Sequence, residues 1–153
     1  MVGLLGRSHT SMFLIFGALI VPVMLWAGLS FMLGVGPSLR WAIGQIPLFL
    51  LLCVIGPALE EVVFRGYFFE LIQRRRFWVW LDSLPIQISA SNLVTTFAFV
   101  LMHGFFRDIE SGFMVVVPSL VLGRIKEVSG SLWICISVHV FWNLGWFSRF
   151  PPL

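Results

Sequence analysis

The chain has 153 residues, of which 59% are apolar, 16% aromatic and 11% charged, with a formal net charge of +3. An average soluble domain carries roughly 25% charged residues, so this composition does not fit a soluble globular enzyme, a disordered chain or a nucleic-acid-binding domain. The ten Lys and Arg residues are spread between apolar runs, and in a bilayer that spread is a topology signal.

The first apolar run extends from Ser11 to about Val35 and ends at Gly34-Val35-Gly36-Pro37. It is too long for a signal-peptide core of roughly 7–15 residues and reads as an uncleaved transmembrane helix. A second run starts after Arg40, reaches the acidic pair Glu60-Glu61 and continues to Arg74-Arg75-Arg76. One straight helix from Trp41 to Arg74 would be about 50 Å long, against a hydrocarbon core of about 30 Å. Gly56-Pro57 is the expected break, because an interior proline removes a helical hydrogen bond. Glu60 and Glu61 would then fall at the start of a new helix, where the dipole tolerates negative charge.

A third run covers about Ile86 to Phe106, a short one Gly112 to Gly123, and the last Ser131 to Phe147. These runs predict an all-α polytopic transmembrane bundle of about five membrane segments, forming one domain over residues 1–153. With the N-terminus cytoplasmic, Arg7, Arg74, Arg75, Arg76, Arg124 and Lys126 lie inside, and Arg40, Arg107 and Arg149 outside. That excess favours this orientation. Trp41, Trp78, Trp80 and Trp146 read as interfacial anchors. Cys53 and Cys135 lie in apolar runs and act as small hydrophobes.

Ionisable side chains inside a membrane are costly and are functional candidates by default. Here they are Glu60, Glu61, Arg65, His103 and His139, with Asn143 as a neutral companion. Glu61 and Arg65 stand four apart with the acid first, the better order for a helical ion pair. Glu60 points about 100° away around the helix and need not share that pair. His139 and Asn143 are again four apart, as are Phe99 and His103. A carboxylate, two imidazoles and an amide suit hydrolysis of an amide by an activated water, with hydrogen bonds to the developing oxyanion. Two His and one carboxylate (Glu60, His103 and His139) could instead hold a catalytic zinc ion. A non-enzymatic immunity or scaffold protein is the third reading.

Glu60-Glu61-Val-Val-Phe-Arg65, Phe99-Val-Leu-Met-His103 and His139-Val-Phe-Trp-Asn143 follow one another in order. Together they resemble the CPBP family, which comprises type II CAAX prenyl endopeptidases and bacteriocin-processing or immunity proteins. The resemblance covers about residues 57–143 and implies an intramembrane glutamic protease that needs no cofactor. It implies that Glu60 and His103 activate water, that His139 and Asn143 form the oxyanion site, and that Glu61, Arg65 and Phe99 support them. The implied partner is a membrane-associated protein or peptide substrate, in the inner membrane of a bacterium. Family members are usually longer before the first motif, so the resemblance implies either a minimal form or one that depends on self-association or a partner protein. Small members found beside bacterial C-terminal sorting systems have a comparable length.

Overall fold

The computed structural model describes residues 2–36, 43–74 and 88–150, with side chains from Met12 onward. Every regular element among these residues is helical. Arg40, Arg75, Arg76, Trp41, Trp78, Trp80 and Ile86 lie outside the described residues, as does the side chain of Arg7. Two helices are long and apolar enough to cross a bilayer, with spans Met12–Leu33 and Ile46–Arg74. The chain divides into two compact units, one of residues 1–59 with 136–153, the other of residues 60–135.

The first unit contains helix α1 (Val2–Leu33), the first half of α2 (Ile46–Arg74) and most of α6 (Leu132–Phe147). Large apolar side chains of α1 such as Phe13, Met24 and Phe31 are exposed, which is the surface of a helix solvated by lipid. Pro22 lies inside α1 and offers no N–H to the carbonyl four residues before it. That carbonyl belongs to Ala18, and the Trp142 indole N–H of α6 donates to it at 2.7 Å. Trp26 of α1 lies 6.1 Å from the Phe141 ring. It also fills the space beside Gly145, where any Cβ would collide with its ring.

The break expected at Gly56-Pro57 takes the form of a change in winding. Ile46–Leu50 is α-helical, Leu51–Ile55 is a π turn, and α-helix resumes at Gly56. The Gly56 N–H reaches back to the Leu51 carbonyl. In that register the Leu52 carbonyl would be due to residue 57, a proline without an N–H. Asn143 supplies the missing donor, its Nδ2 standing 2.9 Å from the Leu52 carbonyl. Because the helix does not stop, Glu60 and Glu61 sit in its interior, where the expected help from a helix N-terminus is absent.

The second unit holds the rest of α2, then α3 (Ala90–Phe106), α4 (Ile109–Met114), α5 (Val116–Ser129) and the first turn of α6. Ser89 starts α3 by accepting the Asn92 N–H at 3.2 Å. Its own N–H and hydroxyl donate to Glu127 of α5, which also pairs with Arg124 at 2.9 Å. Lys126 of α5 meets Glu70 of α2 at 3.3 Å. The end of α2, the start of α3 and the end of α5 thus converge, and α5 runs antiparallel to α3.

The short segment expected over 112–123 is divided at Val115. Asp108 caps α4, accepting the Ser111 N–H, and Gly112 lets α4 lie against α3, where a Cβ would stand 3.1 Å from the Val100 carbonyl. Pro118 falls in the first turn of α5, where its missing N–H costs nothing. The helix continues past Gly123 because Arg124, Lys126 and Glu127 are all paired. It ends at Gly130, whose φ of 67° suits glycine.

Candidate active site

In the second unit, the buried Glu61 and Arg65 side chains meet at 3.0 Å between Oε1 and Nη1. They are 0% and 1% exposed, so this is a buried ion pair whose charges need every available partner. Arg65 finds them on α5: its Nη2 donates to the Ser119 hydroxyl at 2.7 Å and to the Ser119 carbonyl at 3.1 Å. The Ser119 hydroxyl donates to Thr96 Oγ1 at 3.0 Å, and Thr96 donates to Asn92 Oδ1 at 3.3 Å. Asn92 Nδ2 completes the series on the Leu120 carbonyl at 3.0 Å. All donors run in one direction, from the guanidinium to a backbone carbonyl.

Arg65 lies in a second π-helical stretch, Val62–Phe68. Such turns recur at functional sites because they re-aim side chains that α-winding would send elsewhere. Its guanidinium stands 4.7 Å from the centroid of the Phe99 ring, within range for a cation–π contact. Phe64 meets the same ring edge-on at 5.0 Å, and the His103 ring lies 4.4 Å from it. Phe99 is therefore the common neighbour of the ion pair and the imidazole.

His103 is buried, and its Nδ1 lies 3.0 Å from the Phe99 carbonyl. A carbonyl only accepts, so a proton sits on Nδ1, and in the neutral ring Nε2 then carries the lone pair. That is the tautomer of an imidazole able to take a proton from water. Glu60 is half-buried, one residue before the buried Glu61. The two acids therefore occupy different environments despite being adjacent.

His139 and Asn143 belong to the first unit, one turn apart on α6. His139 is buried, and Asn143 uses one amide hydrogen on the Leu52 carbonyl. Cys53, fully buried, approaches the Asn143 carbonyl at 3.8 Å. Within either unit, the described residues gather no set of three His, Cys, Asp or Glu side chains around a common point.

The sequence reading passed over Asn92, Thr96 and Ser119. A signal for the first two is present: residues 92, 96, 99 and 103 follow the spacing of one helix face. Asn92 and Thr96 of that apolar run thus share a stripe with His103.

A family model described as type II CAAX prenyl endopeptidase Rce1-like matches residues 41–145. No curated protein and no solved structure matches the chain.

Proposed function

We propose, starting from a chain that belongs to the type II CAAX prenyl endopeptidase Rce1-like family, that it is a glutamic intramembrane protease using Glu60 and His103 to activate water. The family makes it a membrane protein and a CAAX-type protease acting on a membrane-associated peptide or protein. The observation that carries the finer reading is the buried His103 ring, whose Nδ1 faces the Phe99 carbonyl at 3.0 Å, so that in the neutral imidazole Nε2 is the basic nitrogen.

In this reading Glu60 and the basic nitrogen of His103 withdraw a proton from water, and the water oxygen bonds to the scissile carbonyl carbon. The carbonyl oxygen takes the negative charge, and His139 and Asn143 donate hydrogen bonds to it. Collapse of the tetrahedral intermediate breaks the C–N bond, and the withdrawn proton passes to the leaving amine. Asn143 carries two amide hydrogens, so it can hold the Leu52 carbonyl and still offer one to an oxyanion. Glu61 and Arg65 keep the helix in shape, and no metal or other cofactor takes part. The excess of Lys and Arg supports a cytoplasmic N-terminus, and the resemblance to bacterial members of the family supports an inner-membrane location.

The test is mass spectrometry of membrane-protein termini from cells carrying wild type, Glu60→Gln or His103→Ala at matched expression. A terminus processed only in wild-type cells is the expected result, and it names the substrate. Identical termini in all three strains would overturn the reading in favour of a scaffold or immunity role. Loss of processing on chelation, restored by added zinc, would instead favour a metalloprotease.

A further inference from the structure

His103 is held by local contacts, but its neighbour Phe99 is shared with Arg65, and Arg65 is held from another helix. The Glu61 carboxylate fixes one terminal nitrogen of the guanidinium and Ser119 fixes the other. Two such anchors define the orientation of a planar group. Glu61 precedes Arg65 on the same helix, so Ser119 is the anchor that ties the guanidinium to α5.

Its hydroxyl is in turn fixed. It accepts from Arg65 and donates to Thr96, which leaves it little rotational choice. Thr96 and Asn92 lie on the helix stripe that carries Phe99 and His103. The series therefore closes a loop: from α3 through Thr96 and Ser119 to Arg65, and back to α3 through the face of Phe99.

We propose that Ser119 is a positioning residue for His103. By orienting Arg65 over Phe99, it sets the place of the ring against which the imidazole rests. A chain without this hydroxyl keeps its ion pair and the 3.1 Å bond to the Ser119 carbonyl, yet loses the shorter bond and the link to Thr96, which loosens the guanidinium and lets Phe99 and His103 follow. The proposal rests on the catalytic role given to His103 above for its functional consequence, but its structural part stands apart from that role.

The experiment is nitrogen-15 NMR of the full chain in detergent with labelled histidine. The sequence has three histidines, and the His103 signals are identified by their loss in His103→Gln. In Ser119→Ala the two ring nitrogens of His103 should shift and its Nδ1 proton should exchange faster with solvent, while the His139 signals stay in place. Thr96→Val, which removes the acceptor for Ser119 and keeps the side chain's shape, should give a smaller change in the same direction. Thr96→Ser should restore the wild-type signals.

On the substrate terminus found by the protease test, Ser119→Ala should lower kcat about tenfold or more, as misplacement of a reacting group does, with KM unchanged. If Ser119→Ala does not fold, the Thr96 pair decides. Unchanged His103 signals in folded Ser119→Ala, or in Thr96→Val when only that variant folds, would overturn the proposal and leave Ser119 as packing alone. Should Glu60→Gln process the same termini as wild type, the protease reading fails, while the NMR comparison still decides the role of Ser119.

Discussion

The two units meet the same problem, polar groups withdrawn from water, in opposite ways. In the second unit the polar groups are side chains: Glu61, Arg65, Ser119, Thr96 and Asn92 are hydrogen-bonded in series and end on a carbonyl. In the first unit, besides the buried His139 side chain, two backbone carbonyls left over by prolines need partners. Trp142 donates to Ala18, four residues before Pro22, and Asn143 donates to Leu52, five before Pro57. A bilayer core offers no water to either kind of group, so each has to be paired inside the protein. The difference shows two uses of α3 and α6. On α3 the polar stripe builds a surrounding for His103; on α6 residues beside His139 repair helices broken in their hydrogen bonding.

Arg65→Met should break this contrast most severely. It leaves the fully buried Glu61 carboxylate without its cation, a loss of about 3–5 kcal/mol for a buried pair. Thermal unfolding in detergent should show a large drop, and Glu61→Leu combined with Arg65→Met should recover much of it. A single variant as stable as wild type would mean the pair does not hold the second unit.

Trp142→Phe should cost less, about 1–3 kcal/mol for an unsatisfied buried carbonyl. Pro22→Ala supplies an N–H within α1 for the same Ala18 carbonyl, so the cost of Trp142→Phe should shrink in that background. Equal costs in both backgrounds would sink the idea that the indole repairs the proline gap. Asn143→Ala should lose about 1 kcal/mol through the Leu52 carbonyl and, separately, its proposed role in catalysis. Adding Pro57→Ala should return stability without returning proteolysis, which distinguishes the two duties of one amide.

The sequence makes the two units legible to different degrees. The spacing of Glu61 and Arg65 was enough to expect their pair, and the stripe of Asn92, Thr96, Phe99 and His103 was there to be read. Small polar residues are common in membrane helices and seldom attract notice, whereas Ser119 lies on a separate segment that no helical period connects to Arg65. In the first unit, Pro22 and Pro57 announce which carbonyls lose a donor, but only folding decides that Trp142 and Asn143 supply it. At Gly123 the charges that follow read as the end of a segment, and the helix does not end there. Charge-free windows measure hydrocarbon, while α5 runs on through Arg124, Lys126 and Glu127 because those charges are paired.

The smallest effect should come from the exposed turn between α3 and α4, outside both buried networks. Asp108 accepts the Ser111 N–H at its Oδ1 and the Ser111 hydroxyl at its Oδ2, 3.0 Å away. These bonds, with the backbone N–H first, hold the carboxyl below its ordinary value. A carboxyl whose acidity is raised by folding stabilises the fold above its unfolded pKa, near 3.9, and that stabilisation is lost as pH falls through the lower folded value. Asp108→Asn has no such titration. Hydrogen exchange at the Ser111 amide should therefore be slower in wild type than in Asp108→Asn at neutral pH, with the gap closing in acid below about pH 4. A gap that persisted unchanged into strong acid would show that the carboxylate charge is not what caps α4, leaving the short helix to its packing at Gly112 against α3.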